Sequence, residues 1–365
     1  MKRKLIFLGL VIALIAIPLA ACTQAAPAPA PAPAVAPTIK VPAPAPAPVT
    51  VTAAAPSPVT VTTKAPVVLR AVQMNPVGDR QFAAWEWFIK EVNRKSGGKL
   101  TIDVLGGPEV ISTKDQSDAV ADGLVDIGCI WTTRLAKLAP PLGFWGARHV
   151  TALEAQANGV WDIFRNELAN DNIYWLGPAG DSVHDYAFVF TNRNAKSPED
   201  LAGLRVATGP GFINIVTALS LDAQMMSPGE RYAAVERGVA DGSVVSHYKA
   251  EADSFFEVLD YWIDHGVNAQ STSIAVNLDV WNNLPDDLKQ IVADAASAPE
   301  VTTDKIMGTV SASVKQTLMD GGMKPITFSD KVAASYVESI YDATWAIHYE
   351  KYPDWAPIME PLVRK

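Results

Sequence analysis

The sequence predicts an α/β fold of two lobes with a ligand cleft between them and a long helical segment at the carboxyl end. From residue 67 onward, short apolar runs alternate with amphipathic stretches, the pattern of strands layered with helices. That region holds about 300 residues, enough for two domains of ordinary size. Finally, "AVADGLVD" at 119–126 and "AVERGVAD" at 234–241 share Ala-Val-x-x-Gly-x-x-Asp, each at the end of an expected helix. Gly123 and Gly238 suit the left-handed position that closes a helix, and each Asp follows where the chain turns into a strand.

The elements follow in order. "VVLRAVQ" reads as a strand, and Phe82, Trp85, Phe88, Ile89 and Val92 then recur at helical spacing until Gly97-Gly98. "LTIDVLG", a helix through "DQSDAVADG" and "VDIGCIW" complete a β-α-β-α-β lobe. A second lobe starts near Asp185 with strands "YAFVFT" and "LRVAT", helices over 212–220 and 229–237, and strand "GSVVS". "STSIAVN" is a returning strand. A helical stretch from Pro285 to Met319, bent at Pro299, and a helix over 330–349 close the fold. The first lobe is expected to comprise 67–184 with about 271–312, and the second 185–270 with about 313–365. The hinge is expected near His184-Asp185 and Gln270-Ser271. Trp85 and Trp161, on amphipathic helices, read as core.

The amino terminus is of a different kind. Lys2, Arg3 and Lys4 precede an uninterrupted apolar run from Leu5 to Ile17 and then small residues, the layout of a signal peptide over 1–21. The apolar run is short for a bilayer span. Leu19-Ala20-Ala21-Cys22 resembles a bacterial lipobox, which implies a diacylglycerol anchor on Cys22. Residues 22–66 contain no acidic side chain, only Lys40 and Lys64 as charges, and repeated Ala-Pro pairs. Such a segment cannot bury a core and reads as a polyproline II tether, reaching on the order of 100 Å at about 3.1 Å per residue.

Composition narrows the function. All 39 acidic residues but only 25 of the 30 basic ones lie beyond residue 66, a net charge of −14 there, which argues against nucleic acid as a partner. Cys129 has no expected disulfide partner and reads as a small buried thiol. The five histidines form neither HxH nor HExxH, so neither metal nor cofactor is expected. "GDSVH" at 180–184 lacks the second glycine of a nucleophile elbow. "TGPG" at 208–211 lacks the Lys-Ser/Thr of a phosphate loop and reads equally as a tight turn or as a helix start facing an anion. No catalytic residue is assigned, and no enzyme is expected.

"SPEDLAGLRV" (197–206), "SPGERYAAVERGVADG" (227–242), "SFFEVLDYW" (254–262) and "VNLDVWNNLPDDLKQIVADAA" (276–296) resemble, in that order and spacing, the DctP-like solute receptors of TRAP transporters. The resemblance covers most of residues 68–340. It implies a periplasmic-binding-protein-like receptor outside the cytoplasm that closes on a small molecule, commonly an organic acid, and delivers it to a two-component membrane permease driven by a sodium gradient. A sensory or structural lipoprotein using the same receptor fold is the competing reading.

The sequence departs from the family at the solute's expected carboxylate grip. Members usually carry Arg where this chain has Ala207, with Arg205 in the place of a usual Lys. A second Arg found in some members after the first crossover falls here in Tyr186-Ala187-Phe188. Val244-Val245 stand where polar or aromatic contacts are common, before Ser246 and His247. Two explanations compete. Ala187, Ala207, Val244 and Val245 could line an apolar cleft for a less charged solute, so that simple C4 dicarboxylates such as succinate bind weakly. Alternatively a cation arrives from Arg205, which shares a strand face with position 207, from Lys249, or from the helix end after Gly211. Further candidates for the cleft wall, each following an expected strand end, are Met74, Asn75, Glu109, Trp131, Thr132, His184, Thr208, Phe212, Ser246 and His247.

Overall fold

The computed structural model describes residues 65–180, 186–268 and 272–364. The signal peptide, Cys22, the tether up to residue 64, His184 and both expected hinge crossovers lie outside them. The described residues belong to one unit, Thr63–Lys365.

The strands run β1 (Val67–Gln73), β2 (Leu100–Gly106), β3 (Ile127–Trp131), β4 (Ile173–Ala179), β5 (Ala187–Thr191), β6 (Arg205–Thr208), β7 (Asp222–Met225), β8 (Gly242–Ser246), β9 (Tyr261–Ile263), β10 (Thr272–Asn277) and β11 (Lys324–Ile326). They form two sheets, ordered β2-β1-β3-β10-β4 and β11-β9-β5-β8-β6-β7. In the first, β1 is parallel to β2 and β3, whereas β10 returns from beyond the second sheet and runs antiparallel between β3 and β4. In the second, β6 is parallel to β7 and β8, and β5 is antiparallel to β8 and β9.

The repeated octapeptide has the same structural job in both sheets. Gly123 and Gly238 sit at φ 72° and 68°, a left-handed conformation that costs glycine little and ends each helix. Asp126 then receives Arg70 from β1 through Nε at 3.0 Å and Nη2 at 2.9 Å. Asp241 receives Arg205 from β6 through Nε at 2.9 Å and Nη2 at 2.5 Å. Each forked pair ties the start of one central strand to its parallel neighbour. Arg205 is therefore engaged at the opening end of β6, away from the end where the cleft lies.

The first sheet buries a single large core. Helix Ala83–Lys95 turns Ala84, Trp85, Phe88 and Val92 inward, as the spacing predicts, and Trp85 stacks on Phe88 at 5.4 Å. Trp145, Trp161, Phe164 and Trp175 pack on the far side of the same core. The second sheet is covered on both faces: Ala187, Val189, Val206 and Val244 face one core, while Phe188, Phe190, Ala207 and Val245 face another. A smaller cluster of Ala84, Tyr248, Met307 and Val314 joins the two halves.

The expected long helix from Pro285 is three helices, Asp286–Ala296, Pro299–Thr302 and Lys305–Asp320. Pro299 opens a new helix at its first turn rather than bending an old one, because it has no N–H to continue the ladder. Helix Asp330–Lys351 follows β11. The chain end, read from sequence with the second lobe, puts Trp345, Ala356, Met359 and Val363 into the first core.

Candidate functional site

Beyond the ends of β1, β3, β6 and β8, and before the start of β5, the two halves face each other across a cleft of about 470 Å³. This is where a doubly wound sheet leaves its loops free to bind. From the first sheet, Met74, Asn75, Asp79, Gln81, Trp131 and Arg134 reach it. From the second come Tyr186, Phe212, Arg231, Val245, Tyr248 and Lys249, with Ser246 at the strand end.

Aromatic edges meet in the middle. Trp131 lies edge-on to Phe82 at 6.3 Å and to Tyr186 at 6.3 Å, so the two halves touch through rings. Tyr186 accepts a hydrogen bond from Gln81 Nε2 at 3.1 Å, and burial pushes its phenol pKa up, so it is a neutral hydroxyl. Asp79 is held by Gln81 N at 2.9 Å and by Asn75 Nδ2 at 2.8 Å, which organises the loop after β1. At the rim Arg80 reaches Glu251 at 2.5 Å, an ion pair between the halves.

Three cationic side chains line the cleft, in contrast to the acidic body. Lys249 is paired with Asp253 at 2.5 Å. The Arg134 guanidinium has neither hydrogen bond nor ion pair among the described residues. Arg231, on helix Arg231–Glu236, is only 7% exposed, and its Nε is sealed from solvent without a partner. Burial holds its guanidinium pKa below the ordinary value and Asp253 opposes this from a distance, yet an arginine keeps its proton. Space for it comes from Gly209, where a Cβ would stand 2.6 Å from Arg231 Nη2.

Several candidates from the sequence meet in this cleft: Met74, Asn75, Trp131, Phe212, Val245 and Ser246, together with Lys249. Others lie behind it. Ala187, Ala207 and Val244 are fully buried in the two cores of the second sheet. Thr132 is buried with its Oγ1 2.9 Å from Ser273 Oγ, and Thr208 donates to Val244 O at 3.3 Å. The His247 ring packs 4.0 Å from Tyr248, with Nδ1 3.5 Å from Tyr186 O. Glu109 receives Gly107 N at 2.6 Å, which lowers its pKa and makes it a loop brace beside the cleft. Sequence reasoning missed Arg231, Arg134, Asp79, Gln81 and Tyr248. Arg231 carried a usable signal in a basic residue standing beside the aromatic of "GERYAAVE" in the helix expected over 229–237.

Cys129 is buried, and its thiol pKa is pushed up by burial. Among the described residues no cluster of His, Cys, Asp and Glu could hold a metal, and no helix is long and apolar enough to cross a membrane.

Two α/β halves around a polar, aromatic-edged cleft define a solute receptor of the closing-lobe class. A profile of bacterial extracellular solute-binding proteins of family 7, DctP, matches residues 71–351, and the chain belongs to that family. It is 24% identical over 277 residues to a monocarboxylate 2-oxoacid-binding periplasmic protein of Nostoc sp., covering 72% of this chain and 74% of that one. Its fold resembles that of DctP7 from Bordetella pertussis, a receptor binding pyroglutamic acid. The TM-score is 0.67 at 16% identity, over 82% of this chain and all of that one. A TRAP periplasmic solute-binding protein from Desulfovibrio salexigens with bound orotic acid gives 0.65 at 16% identity, over 81% and 96% of the two chains. The chain is a bacterial extracellular solute-binding protein of the DctP family, and its family and fold are those of binding proteins.

Proposed function

We propose that the solute is a small organic acid, captured by closure of the two lobes and handed to a TRAP-type permease by a receptor tethered to the membrane through Cys22. The observation that carries this reading is the presence of Arg134 and Arg231, whose side chains have no ion pair among the described residues, in one cleft of a body whose net charge is strongly negative. Cations inside a low-dielectric cleft draw an anion inward despite the overall repulsion. The acids named for the relatives and structural neighbours are in keeping with this. Lobe I, drawn from residues 67–184 and about 271–312, and lobe II, drawn mainly from 185–270, would move as bodies about the crossovers near His184-Asp185 and Gln270-Ser271. A solute touching both walls favours the closed population.

The test begins with protein purified without refolding. Solute released from it is identified by mass spectrometry and returned to the stripped protein, and small-angle scattering is recorded before and after. The radius of gyration is expected to fall at saturation; an unchanged radius would remove lobe closure from the mechanism.

Anchoring is tested separately. Cys22→Ser is expected to abolish lipid modification and to release the processed protein from membranes or leave it with an uncleaved leader. Unchanged processing and membrane retention would rule out Cys22 as the anchor.

A further inference from the structure

The geometry points to Arg231 as the residue that grips the solute's carboxylate, entering from the helix after β7 in place of the strand position occupied by Ala207, and to a solute with one carboxylate on a flat, apolar body. This rests on the receptor reading above and sharpens its solute class.

A buried cation without a partner is expensive, and the cost is recovered only when an anion joins it. Nothing among the described residues plays that part. Asp253 already holds Lys249 at 2.5 Å and acts on Arg231 only from a distance. The Arg231 Nε is sealed in protein. The rest of the guanidinium stands at the cleft wall, where its fork can hold two carboxylate oxygens at once.

The bare Gly209 is an independent observation. It lies two residues past Ala207, at the cleft end of β6, and any side chain there would collide with Arg231 Nη2. Ala207 itself is fully buried beside Val235 and Val245. A long cation at 207 would have to displace that packing, whereas Arg231 reaches the same strand end over the top of Gly209. The arginine absent from the strand is replaced by one from the adjoining helix.

The number of charges selects one acid group. Lys249 is already neutralised, and Arg134 is on the opposite, more exposed wall, so a single buried cation faces the solute. The remaining surface is broad and aromatic, from Trp131, Tyr186, Phe212 and Tyr248, and suits a ring or conjugated chain.

The test is calorimetric titration of the stripped protein with benzoate, phenylacetate, phenylpyruvate and orotate, each against its amide, and with succinate. At least one monocarboxylate is expected to bind tenfold or more tightly than its amide and than succinate. Arg231→Gln is expected to weaken it about a hundredfold, as loss of a buried charge partner does, whereas Arg205→Gln leaves affinity within about twofold. Thermal melting of the ligand-free proteins supplies a readout that a structural role would move the other way: Arg231→Gln is expected to raise Tm, because the unpaired charge is gone. A lowered Tm, unchanged affinity in Arg231→Gln, or no acid preferred over its amide overturns the assignment. A neutral solute that compacts the protein when no acid does also overturns it while leaving the receptor intact. If no solute compacts the protein and none is released from it, the receptor reading itself fails.

Discussion

Trp175→Ala is expected to destabilise the protein by about 3–5 kcal/mol, measured as a fall in the urea midpoint at unchanged slope. Trp175 is fully buried on β4 and sits at the centre of three rings: Trp161 at 5.1 Å, Phe164 at 5.2 Å and Trp145 at 6.0 Å, all steeply inclined to it. Such edge-to-face contacts add to the area each ring removes from water. Its Nε1 also donates to Ser273 Oγ at 2.8 Å, and Ser273 in turn meets Thr132, which follows β3. Removing the indole leaves a cavity among rigid neighbours and a buried hydroxyl with one partner fewer. Trp175→Phe retains most of the ring packing and is expected to cost about 1–3 kcal/mol, the price of an unmet buried hydrogen bond. A loss below about 1 kcal/mol for the alanine variant would mean that the ring cluster collapses into the vacancy and that its apparent density is not a source of stability.

The second large effect concerns acid. His348, on helix Asp330–Lys351, packs 4.6 Å from Phe144, and its Nε2 is sealed from solvent. Burial, with a smaller contribution from Lys351, lowers its pKa to about 4. An ordinary histidine titrates near 6.5, so between these values the unfolded chain binds a proton that the folded one refuses. Stability from this site is complete above pH 6.5 and is lost as pH falls toward 4. Between pH 6.5 and 4.5 the loss is expected to be about 2–3 kcal/mol, at roughly 1.4 kcal/mol per pH unit. Ordinary carboxylates begin to protonate toward pH 4.5, so the comparison with His348→Phe is what isolates the histidine contribution. His265, whose pKa is also lowered mainly by burial, adds a change of the same sign. Urea midpoints at pH 7 and 4.5 for the natural chain and His348→Phe provide the check. Equal acid losses in the two proteins would show that His348 does not set the limb.

The elements legible in the sequence are those whose local chemistry and tertiary role agree. β1, β3, β8 and β10 are apolar runs buried within sheets, and Gly123 and Gly238 mark helix ends that no Cβ-bearing residue adopts as easily. β7 was not legible: its "DAQM" is a polar edge strand with no inward face to alternate against. β9 and β11, of three residues each, pair only with support from more distant parts of the chain.

The cleft was legible as a location more than as a set of side chains. Ala207 on β6 and Val245 on β8 share one face of the second sheet, but both faces of that sheet are covered, so residues within its strands are mostly core. The cleft begins at the strand ends, where Met74, Trp131 and Phe212 were expected and are found, and Val245 reaches it from within β8. Arg205 was a candidate cation because of its strand face, yet it belongs to the repeated pair with Asp241 at the far end. Arg231 enters from a helix 22 residues after Gly209, a proximity that no local spacing encodes.

The position of β10 also fixes an order of events during synthesis. It fills the gap between β3 and β4, yet it follows β5 to β9 in the chain. A polypeptide emerging amino end first therefore makes nearly all of the second sheet before it can finish the first. Roughly ninety residues separate β4 from β10, or about 5–20 s at ordinary elongation rates. Throughout that interval β3 and β4 each present a bare edge able to pair with another chain. The nascent protein is thus most vulnerable to aggregation while its amino-terminal half waits for six residues made late, and any fragment ending before Thr272 keeps that vulnerability permanently.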